Sequence, residues 1–471
     1  MDRWSSQIGF VLAAIGAAVG LGNIWRFSAV LGQNGGGAYL IPYFIAVFVF
    51  ALPLMILEIA AGRRSRGTVV SAFAAVRPGF AIAGWIVCIV SFLITSYYLV
   101  ITGWTLAYLT FTVTGTGISF AAFTGSYEPV LFALACAIIT GLVVSAGVRE
   151  GIERLVVVLV PFCIGILVIM ALYSTTLPGF SAGLAYLFTP DFSILADPGI
   201  WLAAFGQALF SLSVGEGIML TYGAYMADEQ DIRRSALLIT VTDTSVALLA
   251  GLVIFPVVFS YGLSPAAGAE LAFTTLPMAF AAMPFGHILA IAFFAVLFSA
   301  AITTTVACLE VCVAAVRHTT PWSRKKTSLI LTLLLLALTL LPALSYSALR
   351  LTIANVPVLD FMDETAGTLG LHLTAILLAV VFCWFSPQQS FYESVGGATR
   401  VNRAIFLLCR YLIPAVLILT VTIEILSGLH LHVAAYLPGT LFPGRFPLAG
   451  GLVLVAAIAI LATFIATRMR R

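Results

Sequence analysis

Apolar runs of about 20 residues recur from one end of the chain to the other, separated by short polar turns. A helix needs about 20 apolar residues to cross a bilayer. Backbone groups in lipid must be satisfied internally, so repeated runs of this length predict helices rather than barrel strands. Twelve spans follow, at approximately 9–38, 39–61, 80–113, 128–147, 153–173, 198–225, 234–260, 284–317, 327–344, 355–385, 403–427 and 446–467. No separate soluble domain fits between them. The first run is interrupted by Gly and Asn and lacks the flanks of a cleavable signal peptide, so it is expected to remain in the protein.

Composition agrees with the pattern. Of 471 residues, 62% are hydrophobic and 9% are charged. Soluble proteins carry about 25% charged residues, so this chain cannot cover a water-facing surface. The net charge of +3 says little. Its distribution says more, because basic residues in short loops mark the cytoplasmic side. Arg63 to Arg77, Arg149 and Arg154, Arg233 and Arg234, Arg317 to Lys326, and Arg400 and Arg403 fall in alternate loops. Arg3 and Arg468 to Arg471 extend the same set to the ends, while Arg350 and Arg445 fall in the other set. Both termini are therefore expected in the cytoplasm and the chain in a plasma membrane.

The cysteines lie in apolar segments and read as packing residues rather than a disulfide framework. Cys308 and Cys312 share a helix face, but no further ligand cluster accompanies them. Walker, dinucleotide and catalytic-triad patterns are absent, and the loops are too short for an ATPase. Neither an enzyme, an organic cofactor nor a nucleic-acid partner is expected. Active transport would have to draw on an ion gradient.

Two spans are interrupted. The first contains Gly16, Gly20, Gly22 and Asn23, then Trp25, Arg26 and Phe27. The sixth contains Phe210 to Gly217, including Ser211, Ser213 and Glu216. Close helix packing through small residues suits Gly9, Ala13 and Ala17. It does not account for an intramembrane Arg and Glu, which are rare and usually functional. Spans 1 and 6 hold corresponding positions in two five-helix repeats, and paired breaks of this kind point to a midplane binding site. Free N–H groups at such breaks hold anions and free carbonyls hold cations.

The stretch from Trp4 to Tyr43 resembles the neurotransmitter:sodium symporter family. Ala18 to Asn23, Trp25-Arg26-Phe27 and Asn34 to Gly37 carry the likeness. Glu58 to Arg63, Tyr97-Tyr98, Gly151 to Arg154, Asp197-Pro198-Gly199, Thr303-Thr304 and Asp363 with Ala366-Gly367-Thr368 extend it along nearly the whole chain. Paired breaks around a midplane site are an established feature of that family, and the break pattern is read here in its light. The resemblance implies an all-α membrane protein of twelve helices, a five-plus-five inverted repeat with broken helices 1 and 6 and two peripheral helices. Residues 1–385 would form the ten-helix transport core, and 386–471 would supply helices 11 and 12 and a short basic tail. It further implies a sodium-coupled importer of a small amino acid or related amine, working by alternating access. A proton-coupled transporter of the same fold and a non-transporting amino-acid sensor are the alternatives.

Residue by residue, the family implies two sodium sites. The first would use the Ala18 carbonyl, Asn23, Ser211, Asp243 and the substrate carboxylate. The second would use carbonyls of Gly16, Val19 and Ala300 with the hydroxyls of Thr303 and Thr304. Both are oxygen sets, as a hard cation requires; alone, the threonines could simply bond back to their own helix. The substrate carboxylate would meet the N–H groups of Leu21 and Gly22 and the Tyr98 hydroxyl, and its amine the carbonyls of Ala18, Phe210 and Ser213. Ile94, Tyr98, Phe210, Ser213, Glu216 and Cys308 would surround its side chain. Arg26 and Asp363 would pair as an outer gate over a Tyr98–Phe210 lid, against the alternative that Arg26 snorkels to the interface. Three departures stand out. Met1 and His318 occupy the positions of the family's inner-gate ion pair, which must then be built differently, with Arg3 a candidate. Asp243 stands where Asn is common. Glu216 stands where an apolar pocket residue is common, and could cap a helix instead of reaching the pocket.

Overall fold

A computed structural model describes residues 3–266 and 271–428. Met1, the twelfth span at 446–467, Arg445 and the basic tail lie outside the described residues. Within them nine continuous helices are long and apolar enough to cross a membrane. They are Gly36–Ser65, Pro78–Thr114, Glu128–Ala146, Val148–Ser174, Ile232–Ser260, Gly286–Thr319, Arg324–Ala343, Val358–Phe385 and Arg400–Ile423, the expected spans 2 to 5 and 7 to 11. Span 1 is a bent pair, Gln7–Ala18 and Gly22–Gln33, with axes 51° apart. Span 6 is also divided, into Pro198–Ser211 and Ile218–Ala224. The all-α membrane fold and both predicted interruptions are thus present.

Local sequence sets these limits. Ser6 accepts from the Gly9 N–H and opens span 1. Asp197 accepts from the Gly199 N–H at 2.8 Å with Pro198 at the first helical position, which starts span 6. Gly115 in the left-handed region ends span 3. Several hydroxyls within the spans donate to carbonyls one turn back, as in Thr102 to Tyr98 at 2.8 Å and Thr112 to Tyr108 at 2.7 Å. Wider π-helical turns, which sequence periodicity does not mark, occur at Ala46–Ala51, Val148–Glu153 and Asp363–Gly370. The connections also contain short helices that the span pattern did not predict, Phe180–Phe188 and Leu276–Ala282.

Small residues let particular helices touch. The second half of span 6 lies directly on span 2, where a Cβ on Gly223 would come within 2.6 Å of the Ile59 carbonyl. Spans 3 and 4 meet in the same way at Gly103 and Ala133. Spans 2 and 8 are largely enclosed by their neighbours, whereas span 5 presents Val158, Ile169 and Leu172 outward. Intramembrane polar groups therefore concentrate where the enclosed spans 1, 2, 3, 6 and 8 converge.

Candidate functional site

The two breaks face each other across the centre of the bundle. In span 1 the α-helix ends at Ala18, Val19 turns extended, and the chain resumes as a π-helical turn at Gly22–Arg26. Asn23 stabilises this path. Its Oδ1 accepts from the Gly20 N–H at 3.0 Å, closing a local turn. The Leu21 N–H, also freed by the break, donates to the Tyr98 hydroxyl of span 3 at 2.9 Å. In span 6, Ser213, Gly215 and Gly217 all have positive φ, at 49°, 97° and 77°. Two glycines make that path accessible, while Ser213 bears the strain of a non-glycine residue there. Ser213 Oγ donates to the Ala17 carbonyl at 3.1 Å and so ties one break to the other.

Two oxygen clusters border these breaks. In the first, Asn23 Nδ2 donates to Asp243 Oδ1 at 2.6 Å and to Ser211 Oγ at 2.9 Å. Ser211 Oγ in turn donates to Asp243 Oδ2 at 2.9 Å. Asn23, Ser211 and Asp243 are fully buried. Gln207 belongs to the same region, donating to the Gly22 carbonyl at 2.7 Å. In the second cluster, Thr304 Oγ1 donates to the Ala17 carbonyl at 3.1 Å, and Thr303 Oγ1 to that of Ala300 at 2.9 Å. Gly16 lies beside Thr303, since a Cβ there would sit 3.5 Å from the threonine Cβ. The second cluster offers oxygen atoms alone, which suits a hard cation; in the first, Asp243 and Ser211 supply oxygens while the Asn23 amide nitrogen faces them in this conformation.

Between the clusters lies a small pocket. Ala18, Gly20 and Gly22 form one wall, Ile94 and Tyr98 another, and Phe210, Ser213, Glu216 and Thr304 the rest. Of the predicted substrate residues, Leu21 is joined to this wall through Tyr98, Ser211 turns toward Asp243, and Cys308 reaches it through Glu216. Glu216 does not sit in a helical first turn. It lies in the non-helical segment before Gly217, with Oε2 accepting from Cys308 Sγ at 3.4 Å.

On one side of the cavity the Tyr98 and Phe210 rings approach to 6.4 Å between centroids. The Arg26 guanidinium lies over the outer face of Phe210, 4.3 Å from its centroid. Asp363 begins the wide turn of span 10, and Gly367 leaves room for Tyr97 and Asp363 to converge. No Arg26–Asp363 ion pair is formed among the described residues in this conformation, so the cation–π contact holds Arg26 in place.

The opposite end is tied together by groups that the sequence reading did not single out. Trp4 Nε1 donates to the Tyr222 carbonyl at 3.1 Å, and the Trp4 ring packs on Tyr222 and Tyr225. Ser5 donates through both its N–H and hydroxyl to Glu153. Arg324 forms an ion pair with buried Glu310, whose Oε1 also accepts from the Tyr225 hydroxyl at 2.8 Å. His318 is exposed. Arg3 is exposed too, and its carbonyl accepts from Arg149. Glu58, quoted only as part of a motif, is fully buried and accepts from the Gly215 N–H at 2.6 Å, bracing the second break. Glu58 and Glu310 were detectable as acids inside apolar runs, but nothing in their spacing named their partners.

The profile of the Sodium:neurotransmitter symporter family matches residues 1–129 and 124–470. The sodium-dependent transporter YhdH of Bacillus subtilis is 33% identical over 88% of this chain and 96% of its own length. A sodium-dependent transporter of Methanocaldococcus jannaschii is 32% identical, covering 86% of each chain. Among solved structures, MhsT in complex with L-phenylalanine superposes with a TM-score of 0.83 at 36% identity, over 89% of this chain and 99% of that one.

Proposed function

The chain belongs to the sodium:neurotransmitter symporter family, a family of secondary transporters rather than enzymes, and from that premise we propose that it imports a small amino acid or related amine with sodium by alternating access. The observation that carries this reading is the pair of broken spans facing each other across one cavity, with Tyr98 bonded to the first break and Ser213 joining it to the second. In this reading the substrate carboxylate meets the N–H groups of Leu21 and Gly22 and the Tyr98 hydroxyl. Its amine meets the carbonyls of Ala18, Phe210 and Ser213. One sodium ion joins that carboxylate to the Ala18 carbonyl, Asn23, Ser211 and Asp243. A second is held by carbonyls of Gly16, Val19 and Ala300 with Thr303 and Thr304.

Spans 1, 2, 6 and 7 rock against the remaining core, within residues 1–385, and expose the site to each side in turn. Arg26, Asp363 and the Tyr98–Phe210 lid close the outer path. The protein lies in a plasma membrane with both termini cytoplasmic. Uptake into vesicles under imposed gradients tests the whole reading. Accumulation driven by a sodium gradient is expected. Accumulation driven by a proton gradient alone would favour the proton-coupled alternative, and substrate binding without uptake would identify a sensor.

Changing Thr303 and Thr304 together to Val keeps their shape and removes both hydroxyls. Sodium activation of uptake is expected to weaken sharply, read as initial rate against sodium concentration. An unaltered activation curve in the double variant would remove the second ion from span 8.

Transport is further expected to be independent of chloride. Asp243 already places a carboxylate at the first cluster, and Ala247 follows one helical turn later without a further charge. A chloride ion there would meet like-charge repulsion in a medium that screens poorly. Replacing chloride with gluconate should leave initial rates intact, and a large fall would mean that an anion occupies this region after all.

A further inference from the structure

We propose that the carried substrate is an amino acid whose side chain ends in a protonated nitrogen, with Glu216 the residue that selects it. This rests on the importer reading above and specifies its substrate. Glu216 is 3% exposed and forms part of the cavity wall with Ile94, Tyr98 and Ser213. Its Oε2 is met by the Cys308 thiol at 3.4 Å, a weak donor. Among the described residues no Arg, Lys or His forms an ion pair with it. Glu58 lies behind the same segment, fully buried, with Oε1 on the Gly215 N–H. The side-chain end of the cavity is therefore lined by one buried acid, backed by a thiol, and among the described residues no cationic side chain lines the cavity.

A buried carboxylate in that position needs a counter-charge. The main-chain end of a bound amino acid cannot supply it, because in this site its carboxylate faces Leu21 and Gly22 and its amine faces carbonyls. A cationic side chain reaching Glu216 satisfies both ends at once.

The test compares lysine, ornithine and arginine with norleucine, which has lysine's chain length without the terminal nitrogen, and with tryptophan. Binding to the purified full-length protein is measured with sodium and with potassium in its place. We expect sodium-dependent binding in which the best cationic amino acid outcompetes norleucine by at least about tenfold, equivalent to 1.4 kcal/mol. In Glu216→Gln that advantage should collapse, with norleucine affinity retained or improved. The comparison in the parent protein stands even if the variant folds poorly. Norleucine binding as tightly as lysine in the parent overturns the proposal and leaves the importer reading intact, with a proton then neutralising Glu216. Tryptophan as the preferred ligand also overturns it, in favour of a neutral N–H donor. Absence of sodium-dependent binding across the whole panel would overturn both readings.

Discussion

Converting Asp243 to Asn is expected to raise the sodium concentration for half-maximal uptake by at least about tenfold, corresponding to roughly 1.4 kcal/mol. The carboxylate is fully buried. Its two oxygens accept from Asn23 at 2.6 Å and Ser211 at 2.9 Å. No basic side chain forms an ion pair with it among the described residues, and on the proposed reading a sodium ion completes the cluster. A full charge about 4 Å from a cation contributes about 4 kcal/mol at an effective dielectric of 20, part of which is offset by desolvation. The amide retains the shape, and the Ser211 hydroxyl can turn to suit it, so folding should survive. Loss of the fixed charge should also make the variant respond to chloride, of which the parent is expected to be independent. The readout is initial uptake against sodium in chloride and in gluconate. An unshifted half-saturation in a well-folded variant would place the ion elsewhere and remove Asp243 from the coupling machinery.

How much of this was legible in the chain follows from what each feature depends on. Interruption of a span is local. Gly20, Gly22 and Asn23 cannot propagate a regular helix at low cost, and Ser213 to Gly217 needs three residues in the left-handed region, two of them glycines. Both breaks were therefore visible as composition. The resemblance then brought Asn23, Ser211 and Asp243 into one list, and the structure brings their polar atoms within hydrogen-bonding distance. The conformation of Arg26 was not legible. Position alone offers it either Asp363 or the ring of Phe210, and the choice depends on how far span 10 stands from span 1. The π-helical turns were equally hidden, because one extra residue per turn barely alters an apolar pattern. Long-range pairs such as Glu58 with Gly215, 157 residues apart, leave no periodic trace at all.

The ion pair of Arg324 with Glu310 is the clearest of these hidden contacts, and it carries the second large expected effect. Arg324→Gln should lower the thermal midpoint markedly and loosen the Trp4 end of the bundle. Glu310 has no exposed side-chain surface, whereas Arg324 is 12% exposed. Together with the Tyr225 hydroxyl they tie the end of span 6 to span 8 and to the start of span 9. Arg324 also donates to the Val144 carbonyl at 2.8 Å, bringing in span 4. In the rocking motion proposed above, this contact joins span 6 of the moving bundle to the static core, at the junction that parts when the site opens on this side. Removing the arginine alone takes a charged partner from a buried carboxylate, and breaking such a pair costs about 3–5 kcal/mol in comparable cases. Replacing both members, Glu310→Gln with Arg324→Gln, removes the buried charge as well and should recover much of the stability. It should not recover the closed state, because the ionic tie remains absent. Hydrogen exchange of the purified protein in lipid nanodiscs separates these effects. Faster exchange is expected around Trp4 and residues 222–226 in both variants, with the thermal midpoint depressed mainly in the single one. Equal destabilisation in the two, with exchange unchanged at Trp4, would mean that Glu310 and Arg324 act independently and that closure at this end rests on Trp4 and Glu153 instead.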